Sequence, residues 1–171
     1  MRKHFVLLYG PPGSGKTTIG KMVYPEIDRS LFVDVDDLWR MQPFVVNDDN
    51  KKMVEDNILS VIGSFMDNPS LDTMIMVWVV HTKGLMDFFK TITCNYLDCT
   101  CTYIRLYAEE DVLKERMILQ GRDQKNIEGA LEIARKYPSL EDYLVDTSNK
   151  DVFDVKDEVL NCIKKDAPKQ D

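Results

Sequence analysis

The stretch from Leu7 to Lys21, LLYGPPGSGKTTIGK, constrains this chain more than any other. Gly10, Gly15, Lys16 and Thr17 satisfy the pattern GxxxxGK[ST]. The run Phe5–Tyr9 before it is continuously apolar, as in a strand covered on both faces, and Gly15–Tyr24 after it reads as a helix. A strand, a glycine-rich loop and a helix in that order form a phosphate cradle. The glycines let backbone N–H groups turn inward on anionic oxygens, and the helix N-terminus adds partial positive charge. Gly10, Pro11, Pro12, Gly13, Ser14, Gly15, Lys16, Thr17 and Thr18 are therefore expected around the phosphates of a nucleotide. Lys16 would reach the β and γ phosphates, and the Thr17 hydroxyl would hold Mg²⁺.

Four further apolar runs have strand character: Leu31–Val35, Met74–Val80, Cys101–Tyr107 and Tyr143–Val145. Helical spacing of apolar residues recurs between them, over Asp48–Met66, Gly84–Tyr96, Glu109–Gln120, Ile127–Tyr137 and Val152–Lys164. Strand alternating with helix predicts an α/β fold, a parallel sheet with helices on both faces. Residues 1–165 are expected to form one domain, and 166–171 a flexible tail without apolar periodicity.

The 171 residues suffice for a core that needs no covalent staple. Cys94, Cys99, Cys101 and Cys162 therefore read as reduced thiols, with Cys99 and Cys101 on one face of a strand. A net charge of −7 argues against a broad nucleic-acid surface, so any anion must be met locally. The basic start MRKH precedes only five apolar residues, too few for a signal peptide, and no run approaches a membrane span. A cytoplasmic protein with no membrane partner is expected.

Residues beyond the loop narrow the choice among phosphate-loop proteins. No glycine has an aspartate three positions before it, which removes the DxxG switch of a GTPase. The third strand runs into His81 and Thr82, where motor and AAA-type ATPases usually carry an acidic pair, so the protein ligands of the metal beyond Thr17 stay open. Carboxylates come from the second strand instead. In LFVDVDDLW, period-two alternation sets Phe32, Asp34 and Asp36 on one face, with the two acids at the carboxyl end where ligands bind in open parallel sheets. A carboxylate there can accept the proton of a hydroxyl attacking a γ-phosphate. Asp37 would cap a short helix, Leu38–Met41. The acidic helix Glu109–Gln120 leads into GRDQKN, a polar loop with Arg122 and Lys125, and a guanidinium on such a loop can close over a transferring phosphoryl group. Arg116 lies six residues back.

The order GPPGSGKT, FVDVDD, LKERMILQGRD and LVDTSN resembles the small P-loop kinases: shikimate and gluconate kinases, nucleoside monophosphate kinases, chloramphenicol phosphotransferase-like enzymes and polynucleotide 5′-kinases. The resemblance implies a three-layer sandwich around a five-stranded parallel sheet of order 2-3-1-4-5. It implies MgATP as phosphoryl donor and a small-molecule acceptor, with Lys16, Asp36 and Arg122 as catalytic residues and Asp36 as the acceptor-binding base. Asp34 would be an outer partner of Mg²⁺, Arg116 an adenine neighbour, and Asp146–Lys150 the adenine-side loop. Arg40 and His81 are candidate acceptor contacts, and Trp39, Met41, Phe44 and Trp78 either wall that pocket or pack in the core. Two other readings remain at this level. In one, a polynucleotide 5′-hydroxyl is the acceptor, its phosphates met by Arg40, Lys51 and Lys52; in the other, ATP only orders an interaction surface.

Overall fold

The computed structural model describes residues 2–95, 99–137 and 143–168. Five strands, β1 (Lys3–Tyr9), β2 (Ser30–Asp34), β3 (Thr73–Trp78), β4 (Cys99–Tyr107) and β5 (Tyr143–Asp146), form one parallel sheet of order β2-β3-β1-β4-β5. Among the described residues six α-helices connect or follow them: α1 (Lys16–Val23), α2 (Asp48–Asp67), α3 (Lys83–Cys94), α4 (Glu110–Leu119), α5 (Gln124–Arg135) and α6 (Val152–Asp166). The expected α/β sandwich and sheet order are thus both present.

β1 is central, and all seven of its residues are buried. Its alternate side chains feed two cores. Phe5, Leu7 and Tyr9 meet Val54, Ile58, Ile62 and Phe65 of α2, together with Met86 and Phe89 of α3. Val6 and Leu8 meet Ile19 and Val23 of α1 and the Val155, Val159, Leu160 and Ile163 stripe of α6. A third cluster joins α4 to α5 through Leu113, Met117, Ile127 and Leu131. Parallel strands with both faces covered need this near-continuous apolarity.

Side-chain caps move several boundaries away from the sequence expectation. β2 stops at Asp34, whose carboxylate accepts from Asp36 N at 3.0 Å and starts a 3-10 turn over Val35–Trp39. Asp36 therefore lies on a turn and not on an alternating strand face, and Asp34 rather than Asp37 is the cap. α5 starts at Gln124, three residues before the expected Ile127, because Asp123 accepts from Asn126 N at 2.8 Å. β3 ends at Trp78, two residues short of Val80. α6 runs on through Asp166, whose carboxylate accepts from Tyr143 OH at 2.9 Å and Thr102 Oγ1 at 3.0 Å. Cys99, Cys101 and Cys162 are free thiols; the side chain of Cys94 and the tail residues 169–171 lie outside the described residues. Among the described residues no helix is long and apolar enough to cross a membrane.

Candidate active site

The phosphate loop leaves the carboxyl end of β1 at Gly10, where a Cβ would come within 2.3 Å of the Leu106 carbonyl oxygen on β4. That approach admits only glycine. Gly13 and Gly15 sit in the left-handed region, with φ of 83° and 93°, where a side chain is strained. Pro11 O accepts from Ser14 N at 3.2 Å and closes the turn. Ser14 Oγ is buried without a hydrogen-bond partner, an orphaned hydroxyl in a cradle built for anionic oxygens.

Lys16, only 8% exposed, donates from Nζ to Pro11 O at 2.9 Å. Burial lowers its pKa from 10.5 to about 8; the charges of Asp36 and Asp34 pull it upward, and that of Arg122 pulls it down. Asp36 shifts the other way. Burial and the neighbouring Asp34 raise its pKa, partly offset by Lys16 and Arg122. Asp34, Asp36 and Arg122, which come from β2, the following turn and the α4–α5 connection, thus lie near enough to act electrostatically on Lys16 of α1.

Thr17 Oγ1 donates to Asp34 Oδ2 at 2.8 Å. This hydroxyl and carboxylate are hard oxygens that fit Mg²⁺, which keeps most of its waters and takes few protein ligands. Among the described residues no three or more His, Cys, Asp or Glu side chains gather as a metal cage. β3 supplies no acid: its chain continues to His81, whose Nδ1 lies 3.4 Å from Val79 O, and to Thr82, which caps α3.

Arg122 is positioned by the way α4 ends. Gly121, at φ 72°, lets Gly121 N donate to Ile118 O and Arg122 N to Met117 O, at 2.9 and 3.1 Å, a Schellman closure that glycine permits. The connection is short, since the sequence from Gln124 onward, expected as loop, is helix. Arg116 clamps the other side of the phosphate loop. It donates to Thr147 Oγ1 at 2.9 Å and to Thr147 O at 2.6 Å, and reaches Gly13 O at 3.5 Å. A cavity of about 370 Å³ opens beside this clamp, walled by Gly13, Thr18, Arg116, Leu119, Thr147 and Val152. Leu119 is 80% exposed and Val152 36%, two apolar faces flanking a slot of suitable size for a purine. Sequence reasoning did not single out either residue. An apolar residue just before the Gln-Gly end of α4 was the available signal.

The remaining candidates are placed as follows. Arg40 pairs with Asp37 at 2.7 Å on the surface. Lys51 pairs with Asp48 and Lys52 with Asp56, at 3.1 and 3.0 Å. Trp39 and Trp78 pack against the core, whereas Phe44 is 65% exposed.

A cradle at the end of β1, a Thr–Asp oxygen pair and a purine-sized slot on a 2-3-1-4-5 sheet define the P-loop small-kinase fold. The chain belongs to the AAA domain family AAA_18, whose model matches residues 6–137. It does so with His81 where motor and AAA-type ATPases usually carry the acidic pair. No curated protein matches the sequence. Solved structures match along nearly the whole chain. A sugar kinase from Janibacter sp. HTCC2649 superposes with TM-score 0.70 at 15% identity, covering 97% of this chain and 96% of its own. A gluconokinase from Sinorhizobium meliloti 1021 gives 0.70 at 17%, with 96% and 93% covered. The APS kinase of Mycobacterium tuberculosis, in complex with AMPPNP and APS, gives 0.69 at 13%, with 95% and 98% covered. At such identities the likeness is one of fold.

Proposed function

We propose that this protein is a kinase that moves the γ-phosphoryl group of MgATP to a hydroxyl or phosphate of a small-molecule acceptor. The observation that carries the reading is the phosphate loop itself, with Lys16 buried on Pro11 O and Thr17 bonded to Asp34; the electrostatic reach of Asp36 and Arg122 to Lys16 supports it. Bound Mg²⁺ would neutralise charge on the β and γ phosphates, with Thr17 and Asp34 as the protein oxygens nearest to it. Lys16 exchanges its bond to Pro11 O for phosphate oxygens. Asp36, with its pKa raised, takes the proton as the acceptor oxygen bonds to the γ-phosphorus; the bond to the bridging oxygen breaks, and its electron pair leaves with ADP. Arg122 closes over the transferring group and excludes water. Arg116 and the Thr147 loop hold the base side.

The neighbours named for sugar, gluconate and APS kinase activity support a small-molecule acceptor. The polynucleotide alternative gains no support, because the three cations it relies on, Arg40, Lys51 and Lys52, are each held by a carboxylate. The test is ADP release in the presence of sugars, nucleosides, nucleoside monophosphates and amino-alcohol antibiotics. Acceptor-dependent ADP, lost in Lys16→Met, is expected. Tight ATP binding with no ADP across the panel would replace the kinase by a nucleotide-responsive binding protein.

A further inference from the structure

The end of the sheet away from the phosphate loop carries a pair of thiols that phosphoryl transfer does not use. Cys99 opens β4, opposite Lys3 at the start of β1, and Cys101 follows two residues on. Both side chains therefore leave the strand on one face, with Tyr103 next along it, and all three pack against the core beneath α2 and α3. Both thiols are free and only half-buried, so a small solute can reach them.

The surroundings of the two sulfurs differ. Cys99 donates its thiol hydrogen to Cys101 Sγ, which is also within hydrogen-bonding reach of the hydroxyls of Thr93 on α3 and of Tyr103. Those two hydroxyls are tied together at 3.0 Å, and Thr93 Oγ1 is anchored by donating to Phe89 O at 2.9 Å. Cations flank the group: Lys90 Nζ stands 5.4 Å from the Tyr103 ring centroid, and the charge of Arg2 reaches Cys99. The bond from Cys99, with those from Thr93 and Tyr103, holds the Cys101 pKa below its ordinary value against the effect of burial, whereas the same shared bond and burial push Cys99 up. A sulfur that gives up its proton readily thus lies against one that keeps it.

We propose that Cys99 and Cys101 form an oxidisable dithiol, in which Cys101 attacks a hydroperoxide and Cys99 then closes a disulfide. In the first step the Cys101 sulfur bonds to the outer peroxide oxygen, the O–O bond breaks, and the leaving oxygen departs with the electron pair and takes up a proton. Cys101 is oxidised to a sulfenic acid and the peroxide is reduced. In the second step the Cys99 sulfur bonds to the Cys101 sulfur, and the sulfenic oxygen leaves as water with the Cys99 proton. Cα atoms two apart on a strand are separated by roughly 6.8 Å, the upper end of what a disulfide spans. Closure therefore bends β4 at its first residue, and thiols should reopen the bridge easily.

The test uses the natural full chain, reduced and then freed of reductant. With limiting iodoacetamide, Cys101 should alkylate roughly ten-fold or more faster than Cys162, which burial and the charges of Glu158 and Asp166 keep protonated. With hydrogen peroxide, the chymotryptic peptide carrying Cys99 and Cys101, cut from Cys94 at Tyr96, should lose the mass of two hydrogens and regain it with dithiothreitol. Cys99→Ser should stop at a sulfenic acid on Cys101 that dimedone traps, and Cys101→Ser should leave Cys99 unoxidised at the same dose. The alkylation rates and the bridge are read in the natural protein, so they stand even where a variant fails to fold. Alkylation of Cys101 no faster than that of Cys162, a bridge to Cys94 in place of Cys99, or oxidation of Cys99 at the natural rate in Cys101→Ser would overturn the proposal. A sulfenic acid that persists on Cys101 in the natural protein would also overturn it, by removing Cys99 from the second step. None of these results depends on the kinase reading.

Discussion

Lys16 is held as a buried cation on a carbonyl oxygen, a weak substitute for phosphate. Its lowered pKa has a definite consequence for binding. Below about 8 the empty loop keeps its charge; above that value the proton is lost, and a triphosphate must restore it before the charge pair can form. ATP affinity should be level near neutral pH and fall as pH rises through about 8, which calorimetry in a buffer series would show. A profile flat well past that value would mean the cation is not used. Asp36→Asn should leave ATP binding nearly intact while transfer falls by roughly 10²-fold or more. Equal turnover in that variant would remove Asp36 from the chemistry. At this scale the sequence was informative wherever residue type and spacing determine geometry. Gly10, Gly13 and Gly15 need the backbone they have, and Lys16 and Thr17 follow by register. Asp36 reached the site by another route than alternation: the capping carboxylate of Asp34 turns the chain one residue earlier, a competition between side chain and strand that periodicity does not register.

Among the elements, α1 lies so close to the sheet that a Cβ at Gly20 would fall 2.6 Å from Phe32 Cε2 and 2.8 Å from Val77 Cγ1. Gly20→Ala should destabilise the protein by about 1–3 kcal/mol in denaturant titrations, because both neighbours are held in packed side chains. Unchanged stability would show that the helix can back away freely. Gly121→Ala tests how α4 hands over to α5. It forces a side chain into the left-handed region and should cost roughly 1 kcal/mol, with turnover reduced more than ATP binding as Arg122 loses its placement. Parallel losses in both would assign Arg122 to nucleotide binding alone. The helices were foreseeable from apolar spacing, but α5 began earlier than its apolar stripe. Asp123 recruits Gln124, Lys125 and Asn126 into the first turn by capping, so polar residues that read as a loop become a helix carrying Lys125 beside the loop.

Across the whole molecule, the phosphate end of the sheet is balanced by a polar network at the other. His4 Nε2 meets Thr102 Oγ1 at 2.8 Å, Thr102 donates to Asp166, and Tyr143 donates to the same carboxylate, joining β1, β4, β5 and α6. Burial holds the His4 pKa down from 6.5 to about 4, against the attraction of Asp166. The unfolded chain therefore binds the proton first as pH falls. Stability from neutral His4 is complete above about 6.5 and is lost progressively as pH falls through 4, on the order of 3 kcal/mol in all. Urea midpoints at pH 7 and 4.5 should differ more in the natural protein than in His4→Gln; equal differences would show that His4 titrates as it does in the unfolded chain. Alternation of strand and helix implied a parallel sheet from the sequence, whereas the order β2-β3-β1-β4-β5 depends on which strands pair, a long-range choice that no local period encodes. That order brings the acids of β2 and the arginines after β4 to either side of β1. The most direct test of this arrangement is a calorimetric titration of the folded protein with MgATP. One site per chain is expected, with affinity lost in Lys16→Met; no uptake of ATP by the folded natural protein would contradict it.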